Sequence, residues 1–317
     1  MKKFGQKLLL FISPILLLAF PIDLIISNSL SKSYDNNTGE FEVWNDIYSG
    51  DIDCDLAIYG SSKAWAQFNS KILEDSLNLS VYNFGIDGHS FWLQYLRHLE
   101  FIKYNNPPKQ IIVSVDVFSL EKRKELYNMN QFLPYMLWNT NIYIYTHSYL
   151  GYNTLDYFIP IFRYAGKKEM MNKVVITFAN NNLEKLRYHG YKGMDSKWKM
   201  DFEKAKSKAK NYKIQFDKNT IELFEHFLSE CKFKNIDVIL IYAPEYIEGQ
   251  KFVSNRNEII RIYKILANKY KILFLDYSND KLSYDKNLFY NALHLNSKGA
   301  DLFTKKLIFD LKSKTKQ

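Results

Sequence analysis

The sequence predicts an α/β protein, a three-layer α/β/α sandwich around a five-stranded parallel sheet. Five short apolar runs recur along the chain, each bounded by polar or turn residues. They are too continuous for strands with one exposed face, which is typical of central parallel strands. Helical patterns lie between them, and this alternation implies right-handed crossovers in one sheet. With 317 residues, 47% of them hydrophobic, the chain is long enough for one large core.

The five predicted strands follow one another with helices between them. They are DLAIYG (55–60), SVYNFG (80–85), QIIVSVDVF (110–118), IDVILIYAP (236–244) and KILFLDY (271–277). Residues 219–235 and 255–270 have helical periodicity and precede the fourth and fifth strands. Ligand sites of parallel sheets lie beyond the carboxyl ends of the strands. The residues that follow each run are therefore the candidates for a functional site.

The first 27 residues predict a short cytoplasmic stub and a signal-anchor helix. Lys2, Lys3 and Lys7 precede an apolar stretch over 8–26, which at ~1.5 Å per residue nearly crosses a hydrocarbon core of ~30 Å. Asp23 would lie at the outer interface. A cleaved signal peptide is the alternative, because the apolar part over 8–20 has a suitable length, although no A-x-A-like site follows. Either way, the positive-inside rule places the remaining chain outside the cytoplasm of a bacterial-type cell.

The rest of the chain divides into a linker and one large domain. Residues 28–50 are polar and turn-rich and predict the linker. Residues 51–317 form the α/β domain, with an aromatic-rich insertion over about 121–220. The aromatic rings fit a cap or glycan-binding face, or else they pack the insertion's own small core. The basic stretch over 197–213 is either a solvated helix face or a contact for a partner.

Charge and cysteine content argue against several classes of protein. Lys and Arg number 43 against 34 Asp and Glu, a net charge of +9, but the basic residues are dispersed among acids, without an arginine-rich patch. We therefore predict no nucleic-acid binding. Cys54 and Cys231 are too few for a disulfide framework. The sequence has no metal-ligand spacing, Walker A loop or G-x-G-x-x-G turn, so we predict no metal and no cofactor.

Three positions at strand ends or near the C-terminus bear groups of chemical interest. Ser62 stands at a strand-to-helix turn, where backbone N–H groups lack helical partners, although a serine there is most simply a cap. Gly85 would let a substrate oxygen approach a bare backbone N–H, or it is an ordinary turn glycine. His294 lies between two leucines before the final helix. A lone histidine in such a place is most often structural.

Three segments in this order resemble sequence blocks of the SGNH (GDSL-like) hydrolase superfamily. They are YGSS (59–62), NFGIDG (83–88) and NALHLNSKGA (291–300). The resemblance covers about 51 to the C-terminus, apart from the insertion. It implies Ser62 as nucleophile, His294 as general base, and the backbone N–H groups of Ser62 and Gly85 as oxyanion donors. The third block departs from the family pattern, because SVDVFS (114–119) has no asparagine donor and offers only Asp116 for that part of the oxyanion site.

The residue that orients His294 is the second departure, because Asn291 stands where the family has aspartate. An amide can accept from the ring through its oxygen but contributes no charge. The alternatives are another acid, namely Asp116, Asp276 or Asp285, or a Ser-His dyad that runs slowly. We predict that the Asn291 oxygen faces His294, because the three-residue spacing matches that of the family.

The resemblance and the predicted anchor together imply a function at the cell surface. The expected reaction is transfer of an acyl group, most simply acetyl, to an envelope polysaccharide, or ester hydrolysis on it, through an acyl-enzyme on Ser62. The implied partners are that polysaccharide, the membrane and, for transfer, a membrane acyltransferase that donates the acyl group. One alternative is a catalytically inactive subunit that binds glycan or assists assembly. Another is a tethered lipase or esterase, for which no long apolar acyl-chain groove is recognisable.

Overall fold

Strands and helices alternate along the chain in a computed structural model, which describes residues 2–33, 39–179 and 185–314. The strands are β1 Leu56–Gly60, β2 Val81–Asn83, β3 Gln110–Val115, β4 Asp237–Tyr242, β5 Leu273–Asp276, β6 Phe289–Asn291 and β7 His294–Leu295. The helices are α1 Lys2–Ser31, α2 Glu40–Ser49, α3 Ser62–Gln67, α4 Ser70–Leu77, α5 Phe91–Tyr104, α6 Thr140–Thr146, α7 Thr154–Phe158, α8 Lys168–Ala179, α9 Asp201–Lys208, α10 Lys218–Phe233, α11 Ile247–Phe252, α12 Arg256–Tyr270 and α13 Ser297–Lys314. Short 3₁₀ turns occupy Met129–Phe132, Phe162–Tyr164, Lys281–Tyr284 and Lys286–Leu288.

The central sheet has the strand order β2-β1-β3-β4-β5, and each pair of neighbours is parallel. Each of these strands lies within one of the apolar runs, so the prediction of a five-stranded parallel sheet is confirmed. The order reverses at β1, and the carboxyl ends of β1 and its neighbours meet at one edge. That edge is where sheets of this kind place their sites.

The sheet is buried on both faces because its side chains alternate between two helix layers. Leu56 and Ile58 of β1 belong to a cluster that includes Phe303 of α13. Tyr59 points the other way, where its ring lies 6.0 Å from that of Phe227 in α10. The helices α3, α4 and α13 contact one another on the first side, and α5, α10 and α12 on the second. The predicted three-layer arrangement is thus present.

The chain divides into two compact units. Unit 1 consists of residues 1–45 and 123–185, and unit 2 consists of 46–122 and 186–317. Unit 2 contains the sheet. The predicted insertion over 121–220 is therefore divided, since its first part groups with unit 1 and 186–220 with unit 2. The predicted linker over 28–50 includes α2, and its residues 34–38 lie outside the described residues.

The apolar N-terminal stretch lies within α1 of unit 1. Asp23, predicted at an outer membrane interface, is instead fully buried in unit 1. Its carboxylate accepts from Arg163 Nη2 at 2.7 Å and from the Ile161 N–H at 2.6 Å. Ser27, one turn later, lies 2.8 Å from the Tyr164 hydroxyl. The pairing satisfies a charge that would otherwise be costly to bury.

Within the described residues, no helix combines the length and the apolarity that crossing a membrane requires.

Candidate active site

The structure brings Ser62, His294 and Asn291 into one hydrogen-bonded chain. Ser62 Oγ lies 2.8 Å from His294 Nε2. His294 Nδ1 lies 2.9 Å from Asn291 Oδ1. Ser62 and His294 are 232 positions apart in the sequence. They meet because Ser62 begins α3 directly beyond β1, while α13, which follows His294, packs against α3.

The orientation of the Asn291 amide is fixed by the backbone around it. Oδ1 also accepts from the backbone N–H groups of Leu293 and His294, each at 3.0 Å. An NH2 group cannot accept from an N–H, so the oxygen must face this turn. His294 Nδ1 must then carry the proton that it donates to Oδ1. Nε2 is left with its lone pair toward Ser62, which is the tautomer a general base needs.

The alternative acids proposed from the sequence are engaged elsewhere. Asp276 and Asp285 are exposed, and they accept from the backbone N–H groups of Ser278 and Asn287, each at 3.0 Å. Asp116 is buried, and its carboxylate accepts hydrogen bonds from Ser61 Oγ at 2.6 Å and from the Phe118 N–H at 2.7 Å. Within the described part of the chain none of the three hydrogen-bonds to His294, so Asn291 is the group that contacts Nδ1.

Gly85 does not present the open N–H that the sequence suggested. Its N–H donates to Asn83 Oδ1 at 3.0 Å. The absence of a side chain serves packing instead, because a Cβ on Gly85 would lie 2.5 Å from the backbone nitrogen of Trp65. Asp116 also departs from the predicted oxyanion role, since both of its carboxylate oxygens accept hydrogen bonds. The Ser62 N–H remains, in the first turn of α3, where helical N–H groups have no intrahelical acceptor.

Asn83 is a site residue that sequence reasoning missed. Its side chain is fully buried, and Nδ2 donates to the carbonyl oxygens of Ala64 at 2.8 Å and Phe68 at 3.1 Å. The same side chain accepts the Gly85 N–H. Asn83 therefore ties the loop after β2 to the helix of the nucleophile. Its place at the start of NFGIDG was the available signal.

A buried ion pair next to the nucleophile was also missed. Lys63 is 2% exposed, and its ammonium pairs with Glu245, which is 1% exposed and follows β4. Glu245 also accepts from the Tyr242 hydroxyl at 2.7 Å, and Arg256 Nε lies 3.8 Å from it. The partners are 182 positions apart, so no local pattern could pair them. Buried ion pairs contribute little net stability, so stabilisation of the fold does not explain this pair well. An effect of its charges on the neighbouring site is the better explanation.

The surroundings of His294 favour its neutral form. Burial and the charge of Lys63 lower the pKa of His294 from 6.5 to about 3. The Tyr290 ring stacks on the imidazole, with centroids 5.3 Å apart and planes at 12°. The ring is thus held in place, and it stays able to accept a proton from Ser62 throughout the neutral pH range.

One segment contacts α3 and β6, which hold Ser62 and Asn291, and also the start of α13. This segment, residues 186–199, is called the strap. The Lys192 N–H donates to the Trp65 carbonyl at 3.0 Å, three residues after Ser62. Further along, the Met194 carbonyl accepts from the Ser297 N–H at 3.1 Å. These contacts place a part of the predicted insertion beside the site.

The end of the strap adds rings and ammonium groups next to Tyr290. The Lys199 N–H donates to the Tyr290 carbonyl at 2.7 Å, and its ammonium lies 5.7 Å from the Tyr290 ring centroid. Trp198 is half-buried, and the ammonium of Lys286 lies 4.3 Å from its ring centroid. Aromatic faces next to cations are suited to sugars and to anionic groups.

Comparisons with known proteins give few likenesses. No family model matches the chain, and no curated protein matches it. Among solved structures, it is similar to a protein from Streptococcus pneumonia provisionally described as a platelet activating factor, with 12% identity over 86% of this chain and 91% of that one, at a TM-score of 0.42. It is similar to a provisionally described acylhydrolase from Bacteroides fragilis (12% identity, 81% and 86% covered, TM-score 0.33). It is also similar to a GDSL-like lipase from Bacteroides thetaiotaomicron (10% identity, 81% and 88% covered, TM-score 0.33).

At these identities and TM-scores, the neighbours assign no activity to this chain. The fold and the site define its class on their own: an α/β protein with a serine, a histidine and an amide hydrogen-bonded in series at the carboxyl edge of a parallel sheet.

Proposed function

We propose that the protein is a serine-dependent enzyme of the SGNH hydrolase type that cleaves or transfers ester-linked acyl groups. One observation carries the proposal: Ser62 Oγ, His294 and Asn291 Oδ1 are joined by hydrogen bonds of 2.8 and 2.9 Å. This is the geometry of a nucleophile, a base and a group that orients the base. It also agrees with the order of the three sequence blocks that resemble this superfamily.

The chemistry follows from these atoms. Ser62 Oγ attacks the ester carbonyl carbon while its proton moves to His294 Nε2, and the carbonyl oxygen becomes an oxyanion beside the Ser62 N–H. Asn291 Oδ1 keeps the Nδ1–H in place. When the tetrahedral intermediate collapses, the leaving alcohol takes the proton from Nε2, and the acyl group remains on Ser62. Water or a sugar hydroxyl then gives a proton to Nε2 and attacks the acyl carbonyl; the bond between Ser62 Oγ and the acyl group breaks, Oγ takes the proton back from Nε2, and the acid or the new ester leaves.

The substrate class that we propose is an envelope polysaccharide, with acetyl as the acyl group. Support comes from the end of the strap, where the half-buried ring of Trp198 lies next to the ammonium of Lys286, and Lys199 adds positive charge beside Tyr290, which stacks on His294. Transfer to such a glycan requires an acyl donor, for which a membrane acyltransferase is the proposed partner. The proposed location of unit 2 is outside the cytoplasm.

A second function, a non-catalytic glycan-binding subunit, is favoured by one observation. The Gly85 N–H is occupied by Asn83 and Asp116 can only accept, so two of the expected oxyanion donors are not available. Loss of one such donor costs ~10²–10³ in rate in serine proteases. An inactive protein with this fold would keep the glycan surface but would not form an acyl-enzyme.

Labelling with a fluorophosphonate probe decides between the two functions. If the protein is an enzyme, the probe should label the wild type covalently at Ser62. The labelling should be lost in Ser62→Ala and should persist in Ser61→Ala. Ser61 is the matched control, because it stands next to the nucleophile but bonds to Asp116. Absence of labelling in a folded wild type would favour the binding subunit.

A second experiment tests the proposed substrate. The acetyl content of surface polysaccharide is compared with and without the protein, and unchanged content would exclude acetyl transfer.

A further inference from the structure

The helix α1 exposes large apolar side chains over most of its circumference. They are Phe4, Leu10, Phe11, Leu17, Leu18, Phe20, Ile22, Leu24 and Ile25. At ~100° per residue, they cover an arc of roughly 200°. The buried residues Asp23, Ile26, Ser27 and Leu30 lie on the opposite side, which packs within unit 1. A helix that is apolar outside its packed side is not adapted to water.

A second set of exposed large apolar side chains lies in the segment 138–178 of unit 1, which contacts α1. It consists of Trp138, Ile144, Leu150, Leu155, Phe158, Ile159, Phe162, Val175, Ile176 and Phe178. Phe20 of α1 stacks on Trp138, with ring centroids 5.2 Å apart. Ser29 of α1 donates to the carbonyl of Val174 in α8 at 3.1 Å. The two sets together are called the apolar face.

The charged groups of this region are turned inward, exposed at the start of α1, or exposed at the start of α8, where Lys168 and Glu169 lie. Asp23 and Arg163 pair inside unit 1, and Arg163 also donates to the Leu133 carbonyl at 2.6 Å. Lys3 and Lys7 are exposed at the start of α1. Soluble monomers rarely expose contiguous apolar patches above a few hundred Å², so this number of exposed large apolar side chains indicates an interaction surface.

We propose that unit 1 is a lipid-contacting domain, in which α1 and the segment 138–178 together present the apolar face to an anionic phospholipid bilayer. The breadth of the exposed arc favours lipid over a protein groove, since a groove would cover only one side of a helix. Lysines beside an apolar face match anionic headgroups, and Trp138 is of the residue type that is enriched at the interface. The new element is the segment 138–178, which the sequence did not place at a membrane. The inference is independent of the proposed catalysis.

Environment-sensitive fluorophores on single introduced cysteines test the proposal in the full chain. The sites are Leu18→Cys, Phe158→Cys and Ile176→Cys, with Phe309→Cys in α13 of unit 2 as the matched control. Leu18, Ile176 and Phe309 are similarly exposed, at 67, 62 and 71%. Cys54 and Cys231 are buried, and the unmutated chain measures any background labelling from them. The probe membrane is a phosphatidylcholine–phosphatidylglycerol vesicle with and without doxyl-labelled lipid, and circular dichroism verifies the fold of each variant.

The expected result is a blue shift on addition of vesicles and quenching by doxyl lipid at 18, 158 and 176, with neither effect at 309. If positions 158 and 176 behave like 309 while 18 is quenched, only α1 meets lipid and the proposal of a joint face is wrong. If 158 and 176 are already shielded from iodide without lipid, the face is covered by protein, and the proposal is equally overturned.

Discussion

Replacement of Asn291 by leucine should slow the reaction of Ser62 about tenfold. The leucine removes the acceptor that lies 2.9 Å from His294 Nδ1. A neutral hydrogen bond of this kind contributes ~1 to 1.5 kcal/mol, and ~1.4 kcal/mol of barrier corresponds to a factor of ten in rate. The backbone N–H groups of Leu293 and His294 lose the same acceptor, so stability should fall by about 1 kcal/mol. Asn291→Asp keeps every acceptor, adds the charge that stabilises an imidazolium, and should retain or raise the rate.

The assay is the apparent second-order rate of fluorophosphonate labelling, measured together with urea unfolding so that the rate refers to folded protein. Asn296→Leu is the matched control, because Asn296 accepts from the Gly299 N–H at 3.0 Å and does not contact the base. It should lose stability without the tenfold loss in rate. Full labelling speed in Asn291→Leu would refute the reasoning, because His294 would then hold its tautomer without this residue.

Further predictions concern the groups around this pair. Ser62→Ala and His294→Ala should each abolish most activity in a folded protein, and the double variant should be no worse, because both act in one proton transfer; a clearly additive loss would contradict this. With the pKa of His294 at about 3, wild-type labelling should be flat from neutral pH down to about pH 4, since the base becomes protonated only below that. Lys63→Met removes the repelling charge, while Glu245 keeps the Tyr242 hydroxyl and Arg256 as partners, so this acid limb should move to higher pH; Lys109→Met, at an exposed pair, is the control, and an unmoved limb would show that Lys63 does not act on the base. Gly85→Val should lower stability and labelling together, because the new Cβ meets the backbone of α3; a loss of rate at unchanged stability would restore Gly85 as an oxyanion donor.

The sequence by itself was enough to predict the central sheet and the two residues of the reactive pair, Ser62 and His294. Each of the five strands lies in a continuous apolar run between turn residues, and such a run is a local property of the chain. Ser62 and His294 were also found locally, since each stands in a short block with a recognisable neighbourhood. The spacing of Asn291 and His294 within one turn was enough to anticipate their contact.

Only the tertiary structure decided which hydrogen-bonding groups remain available. Gly85 looked like a free donor, but its N–H is taken by Asn83, and Lys63 found its partner 182 residues away in Glu245. Asp23 was predicted at an outer membrane interface, but it is buried and accepts a hydrogen bond from Arg163. In each case several donors and acceptors could have paired, and the outcome depends on distances across the fold rather than along the chain. Local pattern fixes which elements form, because it acts on neighbours in sequence; partner choice among polar groups is settled only when the elements pack and water is excluded.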